Sequence, residues 1–163
     1  MTRTLILMRH AKSDWGSHGL PDHERPLNTR GAGDAPLMGG WLRRTGHLPD
    51  QVLCSTATRT RQTLAGLGLD APVQFLPALY HADPGTMLEA LREASGTCVL
   101  MIGHNPGIAG FAADLLHEEP DHPRFDDYPT SATLIATFDI SDWAALRFGS
   151  GQALAFAIPA DLK

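Results

Sequence analysis

The run Leu5-Ile6-Leu7-Met8 constrains this chain more than any other feature. Four apolar residues stand together and end abruptly at Arg9-His10. A short unbroken apolar run suits a strand buried on both faces, as in the middle of a parallel sheet. In open α/β sheets, ligands sit outside the carboxyl ends of the strands. The run therefore predicts a strand that delivers a guanidinium and an imidazole to a crevice. A fixed cation beside an imidazole suits an anionic substrate and a nucleophile. A surface Arg-His pair after a strand is the plain alternative, and this stretch alone does not separate the two.

The construction recurs. Thr97-Cys98-Val99-Leu100-Met101-Ile102 leads into Gly103-His104-Asn105-Pro106-Gly107, and Val52-Leu53-Cys54 leads into Ser55, with Arg59 one turn later. Between the first two runs lies a polar stretch from Gly16 to about Asn28 that reads as a long loop, a kind of segment often functional in compact domains. Asn28 or Thr29 can cap a helix over about Arg30 to Arg44, closed by Gly46 and Pro49. Ser55 reads as the N-cap of a helix carrying Arg59, Arg61, Gln62, Leu64 and Leu67. Val73 to Leu76 reads as a strand nearer an edge, and Pro84 opens a helix through about Glu93. Asn105 can cap, with Pro106 at the first helical position, a helix to about Leu116. A polar segment from His117 to Tyr128 precedes two closing strands, Ala132 to Phe138 and Ala153 to Ile158. Strands alternating with helices predict an α/β three-layer sandwich with a mostly parallel central sheet, as one domain over residues 1–163.

Composition narrows the function classes. Of 163 residues, 43% are hydrophobic and 19% charged, and the net charge of −5 argues against a general nucleic-acid binder without excluding a local cationic pocket. The two cysteines, Cys54 and Cys98, sit in apolar runs and read as buried thiols rather than a disulfide framework. The N-terminal apolar run is too short for a signal peptide or a membrane span. A cytoplasmic protein with no membrane partner is expected. The eight histidines show no metal-binding spacing. His18, His23, His117 and His122 lie in polar loops, where solvation is expected. Neither a P-loop nor a dinucleotide fingerprint is present, so no metal and no cofactor are expected.

Parallel strands would place the ends carrying Arg9-His10, Ser55 with Arg59, and His104 on one side of the sheet. Two guanidiniums, two imidazoles and a helix N-terminus would then converge. Guanidinium forks match phosphate, and a helix N-terminus adds oriented N–H donors.

With those residues in view, the chain resembles the histidine phosphatase superfamily, and within it the small SixA-like phosphohistidine phosphatases. Leu7-Met8-Arg9-His10-Ala11-Lys12-Ser13 resembles the opening Arg-His block. Arg25-Pro26-Leu27-Asn28 followed by Arg30-Gly31 resembles the next. Ser55-Thr56-Ala57-Thr58-Arg59-Thr60-Arg61-Gln62-Thr63 resembles the Ser-x-x-x-Arg-x-x-Gln-Thr block, and Gly103-His104-Asn105-Pro106-Gly107 the second histidine block. The resemblance implies a phosphoglycerate mutase-like fold, His10 as a transiently phosphorylated nucleophile, and a phosphoryl group held by Arg9, Arg59 and His104. It adds Arg25 as a further cationic contact, and Ser13 and the backbone N–H of Asn105 as further donors. Loop structure or capping are the plain alternatives for Arg25 and Ser13. Arg61, two residues from Arg59, faces away on the helix.

One block departs from the superfamily pattern. Many members place a Glu or Asp after the third strand as general acid, but here that region reads Leu79-Tyr80-His81-Ala82-Asp83-Pro84. Asp83 suits a helix cap better than an acid, and His81 is a second candidate acid. Cleaving phosphate from a histidine nitrogen needs less acid help than expelling an alkoxide. The expected reaction is metal-free dephosphorylation of a phosphohistidine protein. Hydrolysis of a small phosphorylated substrate is the alternative enzyme, and a non-catalytic phosphate-binding module the alternative from another class.

Overall fold

The computed structural model describes residues 1–16 and 18–163. Ser17, in the expected loop after Gly16, lies outside the described residues. The chain alternates strand and helix: β1 (Arg3–Arg9), α1 (Thr29–Thr45), β2 (Gln51–Ser55), α2 (Thr58–Leu67), β3 (Val73–Leu76), α3 (Pro84–Arg92), β4 (Cys98–Gly103), α4 (Gly107–Leu115), β5 (Thr133–Phe138) and β6 (Gln152–Ala157). The sheet has six strands in the order β3-β2-β4-β1-β5-β6. Neighbours from β3 through β1 are parallel, while β5 runs antiparallel to both β1 and β6. The expected mostly parallel sheet is present, and β3 lies at its edge.

Alternation along β1 builds both faces at once. Leu5 and Leu7 join the core packed by Met87 and Leu91 of α3 and by Ile108 and Phe111 of α4. Ile6 and Met8 join the core packed by Met38 and Leu42 of α1 and Leu67 of α2. Two helices on each face make the three layers. All four β1 residues are fully buried, and each contributes about 1.5–3 kcal/mol by leaving water. The segment from His117 to Tyr128 is less polar in place than in sequence. Phe125 and Tyr128 are buried, and the Tyr128 hydroxyl donates to the Leu7 carbonyl and accepts from the Leu134 N–H.

Helix starts bear directly on the site. Asn28 caps α1 by accepting from the Gly31 N–H. A Cβ on Gly31 would stand 2.1 Å from the Lys12 carbonyl oxygen, so α1 presses against the loop that follows β1. A Cβ on Gly107 would stand 1.8 Å from the Ala82 carbonyl oxygen, so α4 presses against the segment carrying His81. α4 begins at Gly107, one residue later than expected. Asn105 still serves its first turn, accepting from the Ala109 N–H at 3.2 Å, while its amide donates to the carbonyls of Asp127 and Tyr128. Among the described residues, no helix is long and apolar enough to cross a membrane.

Candidate active site

Sheet register assembles the site. Arg9 is paired with Gly103, and the His10 N–H donates to the Gly103 carbonyl at 3.1 Å. His10 and His104 therefore leave adjacent strands at one level, with ring centroids 5.2 Å apart. β2 flanks β4 on its other side, pairing Cys54 with Ile102. Ser55 is thereby carried beside His104, with Oγ 2.8 Å from His104 Nε2. This corrects the expectation that Ser55 caps α2. The helix starts after Ala57 with no side-chain cap, and Ser55 Oγ lies 3.4 Å from the Ala57 nitrogen, a weak contact. Ser55 is the last residue of a buried strand, and its hydroxyl meets the second imidazole instead.

A cavity of about 220 Å³ opens above these strand ends. Arg9, His10, Ser13, Arg25, Arg59, His104 and Asn105 all line it, together with Lys12, Trp15, Asp22, His81 and Thr130. Asp83 does not line it. Its carboxylate caps α3, accepting from the Thr86 N–H at 2.8 Å, and borders a neighbouring groove of about 350 Å³ that shares His81 and Asn105 with the cavity. Arg61 is also absent from the cavity. Its Nε donates to the Thr56 carbonyl and its guanidinium lies 4.0 Å from the Phe75 ring centroid.

The two imidazoles are buried and held neutral. His10 Nδ1 lies 2.7 Å from the Ala11 carbonyl oxygen. A carbonyl only accepts, so the ring proton sits on Nδ1 and the lone pair on Nε2. Burial, then the charges of Arg9, Arg59 and Arg25, push the His10 pKa down to about 3 against the pull of that carbonyl. Burial, then His10, Arg59 and His81, push His104 down to about 3, with Asp22 opposing. Burial and neighbouring Arg59 also lower the pKa of Arg9, which remains a guanidinium. Crowded like charge of this kind is relieved by an anion. Arg9 Nε, Arg59 Nε and His104 Nδ1 are buried without a hydrogen-bond partner among the described residues, and buried polar groups left unpaired need a reason.

Asp22 is the most highly bonded of the cavity residues that sequence reasoning missed, the others being Lys12, Trp15 and Thr130. It sits in a single 3₁₀ turn, Asp22–Glu24, three residues before Arg25. Its Oδ1 accepts from Arg25 Nε at 3.1 Å, and its Oδ2 accepts from Arg59 Nη2 at 3.0 Å and the Tyr80 hydroxyl at 2.5 Å. The Asp22 carbonyl accepts from Arg59 Nη1 at 2.7 Å. The Tyr80 hydroxyl, with Arg59 and Arg25, holds the Asp22 carboxyl well below the usual carboxylate range. The Asp-x-x-Arg spacing signalled the first of these pairs; nothing local signalled Arg59 or Tyr80. Arg25 also donates to Ser13 Oγ at 2.8 Å and stacks 3.5 Å from the Trp15 ring centroid.

The loop histidines divide. His18 and His117 are exposed as expected. His23 instead bonds Thr56 Oγ1 at 2.8 Å and packs edge-on against Tyr80, and His122 bonds Asp161 at 2.8 Å. Tertiary neighbours supply both partners. Among the described residues, no group of three or more His, Cys, Asp or Glu side chains is placed to hold a metal ion.

Comparison with known proteins places this fold in a family. A sequence model of the histidine phosphatase superfamily (branch 1) matches residues 5–89. An uncharacterised protein of Mycobacterium tuberculosis is 39% identical over 160 residues, spanning 93% of this chain and 99% of that one. The structure of a candidate phosphohistidine phosphatase SixA from Nakamurella multipartitia superposes with a TM-score of 0.82 at 32% identity, covering 98% of this chain and 97% of that one. The protein histidine phosphatase SixA complexed with tungstate superposes with a TM-score of 0.79 at 28% identity, covering 98% and 99%. With the family match, the sequence identity and the superposed fold in agreement, the chain belongs to the histidine phosphatase superfamily and is SixA-like within it.

Proposed function

We propose that this protein is a metal-independent phosphohistidine phosphatase acting on a phosphorylated protein. Membership of the superfamily and the SixA neighbours support a phosphatase, a hydrolase of phosphoryl groups. The observation that carries the reading is His10, a neutral imidazole whose Nδ1 is engaged by the Ala11 carbonyl, leaving the Nε2 lone pair for the cationic cavity. The SixA complex with tungstate adds support, since tungstate is a tetrahedral oxyanion like phosphate.

In this reading Nε2 of His10 attacks phosphorus and forms the new P–N bond. The old bond to the leaving group breaks, and its electron pair departs with that group. Water then attacks the phosphohistidine, phosphate leaves, and the imidazole is regenerated. Arg9, Arg59 and His104 stabilise charge on the phosphoryl oxygens, where fixed donors act most strongly. Arg25, Ser13 and the Asn105 N–H supply further contacts. Asp83 is a helix cap, and no general acid is required when the leaving group is an imidazole already protonated on its other nitrogen. Residues 1–163 act as one domain, in the cytoplasm, without a cofactor.

The test is a parallel rate comparison on a phosphohistidine protein, free phosphohistidine and a panel of phosphomonoesters, with and without chelator. Preference for the phosphohistidine protein, resistance to chelation and inhibition by vanadate are expected. Preference for a phosphomonoester would replace the reading with a small-molecule phosphatase. Chelator-sensitive activity restored by a divalent ion would reject the metal-free mechanism.

A further inference from the structure

We infer that Asp22 sets specificity by reading the charge of the leaving group. It is a fixed carboxylate that favours a phosphoryl donor with a cationic ring and disfavours one carrying a second anion beside the phosphate. The inference rests on the phosphoryl-transfer reading above and deepens it.

The adjoining groove locates the leaving-group side, since it shares His81 and Asn105 with the cavity and is not lined by His10. His104 lies 5.2 Å from His10, 5.4 Å from Tyr80 and 6.0 Å from His81, measured between ring centroids. Transfer to His10 expels the leaving group in line, away from the nucleophile, and so toward the groove that His81 borders. Asp22 sits on that side, bonded to Tyr80 and 3.6 Å from His81 Nε2. It is held by donors from Arg25, Arg59 and Tyr80 at once, yet its side chain stays 41% exposed. His81 adopts a left-handed backbone, φ 56°, a sparsely populated conformation for a non-glycine residue.

The charge pattern is asymmetric. Arg9, Arg25 and Arg59 crowd the phosphoryl position. Asp22 bridges Arg25 and Arg59 to Tyr80 and reaches within 3.6 Å of His81, and Asp83 borders the adjoining groove, which is open to the chain attached to a leaving group. A phosphohistidine ring phosphorylated on one nitrogen and protonated on the other is an imidazolium. When its P–N bond breaks, the electron pair returns to the ring, which departs as neutral imidazole. A carboxylate beside the ring favours this protonated form. The same carboxylate repels a substrate carboxylate placed next to a phosphoester.

The experiment compares kcat/KM for a phosphohistidine peptide, p-nitrophenyl phosphate and 3-phosphoglycerate in the wild type, Asp22→Asn and Asp22→Glu. The near-isosteric amide keeps the size and removes the charge; Asp22→Ser carries the same test if the amide fails to fold. Asp22→Asn is expected to shift the ratio of phosphoglycerate to phosphohistidine turnover upward by about tenfold or more, with the aryl phosphate changed by an intermediate factor. Asp22→Glu is expected to keep the wild-type ordering. An equal loss on all three substrates would overturn the inference, leaving Asp22 as a support for Arg25 and Arg59 only. If the wild type does not turn over phosphohistidine, the proposed substrate fails, but the ratio of phosphoglycerate to aryl phosphate still decides the role of Asp22.

Discussion

The ends of β1 and β4 are built alike and finish differently. Each is an apolar strand closing on a histidine, and the two lie side by side in register. His10 bonds its own neighbour, the Ala11 carbonyl, an obligate acceptor that leaves one tautomer. His104 bonds Ser55, whose hydroxyl can donate or accept, so either tautomer is available to it. Burial holds both near a pKa of about 3. Burial lowers the basicity of both, and the partner is what sets them apart. A fixed tautomer suits a nucleophile that must present a lone pair on every turnover. An adjustable one suits a residue that meets phosphoryl oxygens as the charge on them changes.

The largest effect tests that division directly. His10→Ala should reduce turnover to background and abolish acid-labile phosphate on the protein, followed by rapid quench with labelled substrate. Phosphate trapped on His104 instead would reverse the two roles. His104→Ala and Arg59→Ala should each lower the rate by about 10²–10³, as loss of one transition-state donor does, while His10 still becomes phosphorylated. Arg61→Ala, outside the cavity, should match wild type in the same assay.

Stability against pH tests the shared burial. Both imidazoles are held near a pKa of about 3 in the folded state, against an ordinary value of 6.5. The unfolded chain therefore binds protons first as pH falls. Stability from keeping them neutral is complete above about pH 6.5 and is lost between there and about pH 3, at about 1.4 kcal/mol per pH unit for each histidine. Urea midpoints across that window should fall less steeply in His10→Asn and in His104→Asn. An unchanged slope in one variant would show that its imidazole is solvated.

Ser55→Ala should be milder, costing about 1 kcal/mol of orientation at His104 and under about tenfold in rate, with His10 phosphorylation intact. Asp83→Asn should be milder still on phosphohistidine, several-fold at most, since that carboxylate caps α3. A loss of 10²–10⁴, the range of a general acid, with an unchanged melting temperature would move Asp83 from helix cap to proton donor.

Much of the fold was legible locally because its strands are short apolar runs bounded by turn residues. Val73 to Leu76 read as an edge strand and is one. Asp83 read as a cap and is one. Ser55 was misread because serine after a strand has two ordinary uses, and the sequence does not show that β4 will bring an imidazole to its hydroxyl. Tyr128, buried within a segment that looked polar, was missed for the same reason: the acceptor of its hydroxyl, the Leu7 carbonyl, lies 121 positions away along the chain.

The sequence alone determined the alternation of strands and helices and the placing of Arg9, His10, Ser55 and His104 at strand ends. Apolar periodicity and turn chemistry are local properties that a short window carries. Tertiary structure decided what those ends meet. The level alignment of His10 with His104 comes from pairing Arg9 with Gly103. The tie from Ser55 to His104 comes from β2 lying beside β4. The placing of Asp22 between Arg25, Arg59 and Tyr80 comes from a loop folding over α2 and the segment before α3. Ionic and hydrogen-bond partners are chosen by distance in space, and residues 37 and 58 positions apart become neighbours only when the sheet has set its strand order.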